Sequence, residues 1–337
     1  MSRKKRRKRK RHVVMTVLSV IFCMLALLGL VSGYINPYNA PFCEYAQLVL
    51  PVVLIVNAVF ALYWILVFNP KVLIPLVAIV CNIGYLSRVL QFRKNQAADV
   101  KADVRVLTYN VHHFNEGESV YAVADFLKNR DIGIACFQEC SPEDGGDFKK
   151  IFSEYPYIVR RSEFAILSKY PIDDSSITRF INNGNGALNA VINIKGKTIN
   201  FITSHLQTTG FSVSKIKYER EGNISLDRAE DNFANNAKVR AAQALELRSM
   251  IESSKYPVVF CGDLNDIPSS FSYHKVRGRM KDAFKEAGRG YCYTYLHLLK
   301  MLRIDYIFHD PSLKAVEFES PAVEFSDHKP VLVGFAI

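Results

Sequence analysis

The run CGDLNDIP, residues 261–268, follows the apolar stretch YPVVF, residues 256–260. A buried strand thus opens within four residues onto Asp263, Asn265 and Asp266. Carboxylates beside an apolar core are costly to desolvate, and a strand that merely ended there would need one turn residue rather than three polar side chains. The cluster predicts that chemistry is delivered from the end of a strand, with Asp266 and Pro268 shaping the turn that follows.

The same arrangement recurs along the C-terminal two-thirds of the chain. Runs rich in β-branched residues read as strands: VRVLTYNV (104–111), IGIACFQE (132–139), FAILSKYPI (164–172), NAVINI (189–194), TINFITSHL (198–206), PVVFCGDL (257–264), RIDYIFHD (303–310) and PVLVGFAI (330–337). NIKGKTI places a Lys-Gly turn between two of them and predicts an antiparallel hairpin. Helical patterns cover 119–130 and about 230–254. This mixture predicts an α/β fold with mixed sheets. Nearly every strand closes on a residue able to hold a metal or a phosphate: Asn110, Glu139, His205, Asp263 with Asn265, Asp305, and Asp327 with His328 just before the last strand. Any one of these alone is ordinary turn chemistry. Eight at the same address are not.

The residue types fit the hydrolysis of a phosphate ester. Hard oxygen ligands such as Glu139 and Asp327 suit Mg²⁺ or Mn²⁺, which neutralise phosphoryl charge. Asp263 can act as a base for water, and Asn265, His205 and His328 can face the phosphoryl oxygens. Asp305 can hold an imidazole in one tautomer.

TYNV, FQE, SHL, GDLNDIP, RIDYIF and SDHKPV, in that order, resemble the endonuclease/exonuclease/phosphatase superfamily, the fold of pancreatic deoxyribonuclease, over residues 104–337. The resemblance implies a four-layer α/β sandwich whose active site lies where strand ends of two sheets meet. It implies metal-site roles for Asn110 and Glu139, water activation and positioning by Asp263 and Asn265, and orientation of His328 by Asp305. It also implies that Asp327 handles metal or water and that His205 contacts phosphate. Two positions depart from the family pattern. His112 stands where some members carry a carboxylate, and with His113 it reads as an exposed loop residue. Phe164 stands where many members have a small residue, and nothing in the sequence explains it.

The first hundred residues are of another kind. They hold 13 of the 43 Lys and Arg but 2 of the 32 Asp and Glu, so the +11 charge belongs to them and residues 101–337 sum to zero. Residues 1–12 form a basic tail with nine Lys and Arg at 3–11. Residues 13–92 then read as a membrane region with three transmembrane helices, at 13–35, 46–68 and 72–92. The first two reach about 34 Å at about 1.5 Å per residue, enough for a hydrocarbon core of about 30 Å. A cleaved signal peptide is the alternative for the first, but it exceeds a typical apolar h-region and further apolar runs follow. Basic residues before a span keep the N-terminus in the cytoplasm. Three spans then give a multi-pass cell-membrane protein, anchored in the lipid bilayer, with an extracytoplasmic catalytic domain. Residues 93–103 are a polar linker.

The zero balance of the catalytic part removes the basic footprint expected of a nucleic-acid binder. Nucleic acid nevertheless stands first among substrates as the largest branch of the family, with a phospholipid (a sphingomyelinase-like activity) or an inositol phosphate as the alternative. A non-catalytic binding module on the same scaffold would have lost the key residues, which are all present here. No protein partner is expected. Cys136 and Cys140 lack the company of a zinc site, and Cys136 and Cys261 read as small core residues. Residues 207–236 read as a long polar surface loop, with Lys215, Lys217 and Arg220 able to meet an anionic group.

Overall fold

The computed structural model describes residues 3–92, 100–115, 119–141, 147–181, 185–209, 226–297 and 300–337. Two compact units emerge: Met1–Ser87 with Ser269–Phe271, and Arg88–Pro268 with Ser272–Ile337. Most of the linker 93–103 and of the polar segment 207–236, with Lys215, Lys217 and Arg220, lies outside the described residues.

In the first unit the helix Arg3–Ser32 contains Arg9–Ser32, long and apolar enough to cross a membrane. The second expected span is two helices, Phe42–Leu48 and Leu50–Leu66, bent by 52°. Pro51 sits in the first turn of the second piece, where its missing N–H ends the ladder of the first. The third expected span is also broken: Pro70–Cys81 and Ile83–Val89 meet at 57° about Asn82. It is shorter than 72–92, because Leu90–Gln91 leave the helix to form a strand. Counting each bent pair as one, up to three segments among the described residues are long and apolar enough to cross a membrane.

These helices hold each other through polar groups. Asn57 Nδ2 donates to Phe22 O at 3.0 Å, Asn82 Nδ2 to Ala26 O at 3.2 Å, and Trp64 Nε1 to Ser19 Oγ at 2.9 Å. Ser19, Asn57, Asn82 and Trp64 are buried, while Val17, Met24, Val52, Ile55, Val59, Ile65 and Val80 are exposed. Polar groups face inward and aliphatic ones outward, the reverse of a water-soluble bundle.

The second unit contains two six-stranded sheets and one two-stranded ribbon. In chain order the strands are β1 (Leu90–Gln91), β2 (Val104–Asn110), β3 (Ile134–Gln138), β4 (Tyr157–Arg161), β5 (Phe164–Ser168), β6 (Ile172–Arg179) and β7 (Gly186–Ile194). They continue with β8 (Lys197–His205), β9 (Val258–Asp263), β10 (Lys281–Asp282), β11 (Gly290–Tyr291), β12 (Asp305–His309), β13 (Lys314–Glu319) and β14 (Val331–Ala336). One sheet has the order β13-β14-β2-β3-β5-β4 and the other β10-β12-β9-β8-β7-β6, and β1 pairs with β11. The expected hairpin is β7–β8, turning at Gly196, whose φ of 91° suits glycine. FAILSKYPI is not one strand. Its first half is β5, and Pro171, which has no N–H for a ladder, marks the crossing to β6 in the other sheet.

The layers follow from where apolar side chains go. Between the sheets lie Val106, Cys136, Ile166, Leu188, Phe201, Cys261 and Val333, together with Phe164. Phe164 is a core residue filling this interior. On the outer face of the first sheet the helix Val120–Asn129 buries Val123 and Leu127. On the outer face of the second the helix Leu226–Glu252 buries Ala244, Leu247 and Ile251. Helix, sheet, sheet and helix give the four layers expected. Both helices bridge parallel neighbours, β2–β3 and β8–β9, so each such pair ends on the same side of its sheet.

Candidate active site

Register places the polar strand ends in one row. Asp263, the last residue of β9, pairs with His205 at the end of β8 and with Asp305 at the start of β12. In the other sheet Asn110 pairs with Gln138, so Glu139 follows directly beyond the row. Gly262 makes the close packing here possible: a Cβ on it would lie 2.3 Å from Ser204 O.

Side chains from the two rows meet. Asn110 accepts from His112 N with Oδ1, at 3.1 Å, which turns Nδ2 toward Glu139 Oε1 at 2.9 Å and Asp263 Oδ2 at 3.2 Å. Asp263 Oδ1 accepts from Asn265 N at 2.7 Å, and its Oδ2 lies 3.8 Å from both His205 Nε2 and His328 Nε2. His328 Nδ1 lies 3.0 Å from Asp305 Oδ2, so this nitrogen donates and Nε2 is left facing Asp263. Asn265 adopts a left-handed φ of 49°, a conformation that asparagine tolerates better than most residues. Its Nδ2 donates to Leu206 O at 3.0 Å and lies 2.9 Å from His205 Nε2. Asp327 is half-buried, with Oδ1 3.3 Å from Ser326 Oγ, and Ser326 Oγ donates to Asn110 O.

Electrostatics separates the roles. Burial pushes the Asp263 carboxyl up, the charge of Asp305 adds to it, and His328 and His205 pull it back, leaving it at about 6. Burial likewise opposes the charged form of Glu139, but His205, the Asn110 amide and His328 outweigh it and hold this carboxyl below its ordinary value. Burial disfavours a charged His328, yet Asp305 and Asp263 raise it to about 10. The result is two carboxylates of unequal basicity, Asp263 the stronger base and Glu139 the weaker, beside an imidazolium within one site.

Sequence reasoning did not single out several residues found here. Glu163, in the turn before β5, places Oε2 3.6 Å from His205 Nδ1. Arg240 is fully buried and pairs with Asp266 at 3.1 Å while donating to Gln207 O, so Asp266 anchors a tertiary contact as well as the turn. The Tyr295 ring lies 5.2 Å from that of His328. Gln138 ties Thr108 to Thr203 across the two sheets directly behind the row. His112 and His113 are exposed, as expected.

Asp263, Asp305 and His328 offer ligand atoms within 4.8 Å of one another. Yet His328 already donates to Asp305 and carries a raised affinity for its proton, which disfavours a cation there. Ionised Glu139 offers hard oxygens, with Asn110 Nδ2 at 2.9 Å and His205 Nε2 at 3.5 Å from its Oε1.

A family model described as Endonuclease/Exonuclease/phosphatase family matches residues 107–328. The chain belongs to this family. A second model, described only as a domain of unknown function, matches residues 11–89. Among curated proteins none matches the sequence. Solved structures share the family fold. An endonuclease/exonuclease/phosphatase from Bacteroides vulgatus is 22% identical, with a TM-score of 0.53 over 69% of this chain and 98% of its own. A mannosyl-6-phosphatase from Bacteroides thetaiotaomicron is 15% identical, TM-score 0.53, over 69% and 100%. A TDP2 of D. rerio complexed with a single-strand DNA product is 16% identical, TM-score 0.53, over 69% and 99%. Family membership makes the chain a phosphoesterase of the hydrolase class.

Proposed function

We propose that this protein is a membrane-anchored, divalent-metal-dependent phosphoesterase that cleaves its substrate by in-line attack of water. The observation that carries the reading is the Asp305–His328 pair, which presents Nε2 beside Asp263 and across from Glu139 and Asn110. Glu139, Asn110 and Asp327 would hold Mg²⁺ or Mn²⁺, which supplies charge neutralisation for the phosphoryl oxygens. Asp263, poised at about 6, takes the proton from water. Asn265, its Nδ2 held by Leu206 O, would orient that water through Oδ1. His328 donates through Nε2 to a phosphoryl oxygen, Asp305 keeps its ring in place, and His205 contributes a second donor.

Nucleic acid is the first substrate class to test. Tyr295 beside His328 offers a face for a base next to the reacting phosphate. The alternative is a small phosphoester such as an inositol phosphate or a phospholipid headgroup, supported by the zero charge balance of residues 101–337.

Membrane anchoring is supported by the inverted polarity of the first unit: aliphatic side chains exposed outward are stable in lipid, where interhelical hydrogen bonds hold a bundle. The basic tail sets an N-terminus in the cytoplasm, and three crossings put the catalytic unit outside it. The decisive experiment is a panel of DNA, RNA, phospholipid and inositol phosphate given to the full-length protein in detergent, with Mg²⁺ or Mn²⁺ and after exhaustive chelation. Turnover that requires the cation is expected. Full activity after chelation would remove the mechanism.

A further inference from the structure

In the second unit, away from the active site, lies a cavity of about 320 Å³ whose lining includes Arg88, Tyr273, Arg277, Arg279, Lys281 and Lys285. Its two acids are already committed. Asp282 is fully buried against Arg303 at 2.6 Å, and Glu286 holds Lys281 at 3.0 Å and His309 at 2.9 Å. Arg88, Arg277, Arg279 and Lys285 have no carboxylate within ion-pair distance among the described residues. Four cations without a counter-charge among the described residues thus share one concavity.

The arrangement is built rather than incidental. The Arg88 and Arg277 guanidiniums both sit on the Tyr273 ring, at 5.1 and 6.0 Å from its centre, and the Tyr273 hydroxyl donates to Asp282. Arg88 also donates to Pro268 O at 2.7 Å and to His274 Nε2 at 3.2 Å, so His274 is neutral. Burial first, and then the charges of Arg88, Arg277 and Lys275, push that histidine down to about 3.

We propose that this cavity binds the phosphate of an anionic phospholipid headgroup, an assignment that rests on reading residues 13–92 as membrane-embedded. Arg88 is the residue that follows the apolar run 72–87 in the chain. If that run ends at the edge of the hydrocarbon, Arg88 enters the headgroup layer, which is roughly 5–8 Å deep on each side. A free anion would not require the cations to stand at that point of the chain. The cavity is separate from the catalytic row. Lys281 pairs with His309, at the end of β12 opposite Asp305, about 13 Å away along the strand.

The test is lipid retention by the full-length protein in neutral detergent, read by native mass spectrometry with chelator present so that no lipid is hydrolysed. The probes are phosphatidylglycerol and phosphatidylcholine. Wild type should retain phosphatidylglycerol and not phosphatidylcholine. Arg279→Gln/Lys285→Gln, at two exposed positions outside the catalytic row, should bind it roughly 25-fold more weakly. Arg277→Gln provides a second variant, and unchanged melting curves confirm that both fold. Equal retention by wild type and double variant, or equal retention of the two lipids, would overturn the assignment. Displacement by millimolar inorganic phosphate would make the cavity a free-phosphate site, and displacement by a single-stranded oligonucleotide would make it a nucleic-acid surface; either result refutes the headgroup. Carbonate extraction of the protein from membranes would refute the membrane reading itself and leave the micelle result to be judged alone.

Discussion

Replacing Asp305 by asparagine isolates the contribution of one carboxylate charge to the site. The exchange is isosteric, and the Asp305 backbone N–H keeps its bond to Thr294 Oγ1 at 3.0 Å. Two effects on folding oppose each other. The variant loses a charge-assisted hydrogen bond to His328, about 1.5–3 kcal/mol. It also removes a like charge from beside Asp263, which Asp305 helps to raise to about 6. The melting temperature should therefore move by no more than a few degrees. Catalysis has no such compensation. An asparagine can turn Nδ2 toward His328 Nδ1, which moves the ring proton to Nε2 and removes the positive charge that would face a phosphoryl oxygen. A positioned proton donor contributes about 10²–10⁴-fold, so kcat should fall into that range. The assay is steady-state kinetics on the best substrate of the panel at saturating divalent cation, alongside a melting curve. A kcat near that of wild type would refute the role of Asp305. A lost kcat accompanied by collapse of the fold would instead make it a structural residue.

Asp282→Asn breaks the fully buried pair with Arg303 and should cost about 3–5 kcal/mol, lowering the melting temperature by roughly 6–20 °C. Arg303→Met/Asp282→Leu should recover much of that loss, as measured by the same thermal unfolding. Burial opposes the charged form of Asp282, but Arg303 outweighs it and holds the carboxyl below its ordinary value. Its stabilisation is then complete above the unfolded value of about 3.9 and fades as pH falls through the lower folded one, which acid titration of wild type against Asp282→Asn will detect. Cys136→Ser places a hydroxyl between the sheets and should lower stability by about 1–3 kcal/mol with kcat unchanged. C-terminal fusions to alkaline phosphatase and to a cytoplasm-dependent fluorescent protein should give an active phosphatase and a dark reporter; the opposite pair would place the catalytic unit in the cytoplasm.

The strand ends were legible because the same residues carry fold and chemistry. A hydrophobic run closing on Glu139 or Asp263 announces both a buried strand and a reason for a carboxylate beside it. Edge strands carry no such signal. β6, IDDSSITR, is half exposed and almost without apolar residues, and β4 has no fully buried position, so neither produces the periodicity that marks a strand. The apolar runs of residues 13–92 were legible as length, but length is blind to bends. Asn82 in an apolar run reads as a weak point, whereas its amide bonding Ala26 O and Ala78 O shows a cap at a break between helices.

Residues that act through distant partners form the other class that the sequence hides. Arg240 and Asp266 are 26 positions apart, and nothing local distinguishes Arg240 from other cations on its helix; only burial of both groups makes the pair. Glu163 is similar, since a glutamate in a turn gains meaning only when β5 and β8 bring it to His205. Asp263 needed no such help. Gly262 permits close strand approach, Asp263 sits in register with His205 and Asp305, and Asn265 takes the left-handed turn while donating to Leu206 O. Gly262, Asp263 and Asn265 each answer a local geometric demand, and in the proposed mechanism Asp263 and Asn265 answer a chemical one as well. A stretch constrained twice in this way reveals its site directly, whereas the supporting ion pairs, constrained only by packing, become visible in three dimensions.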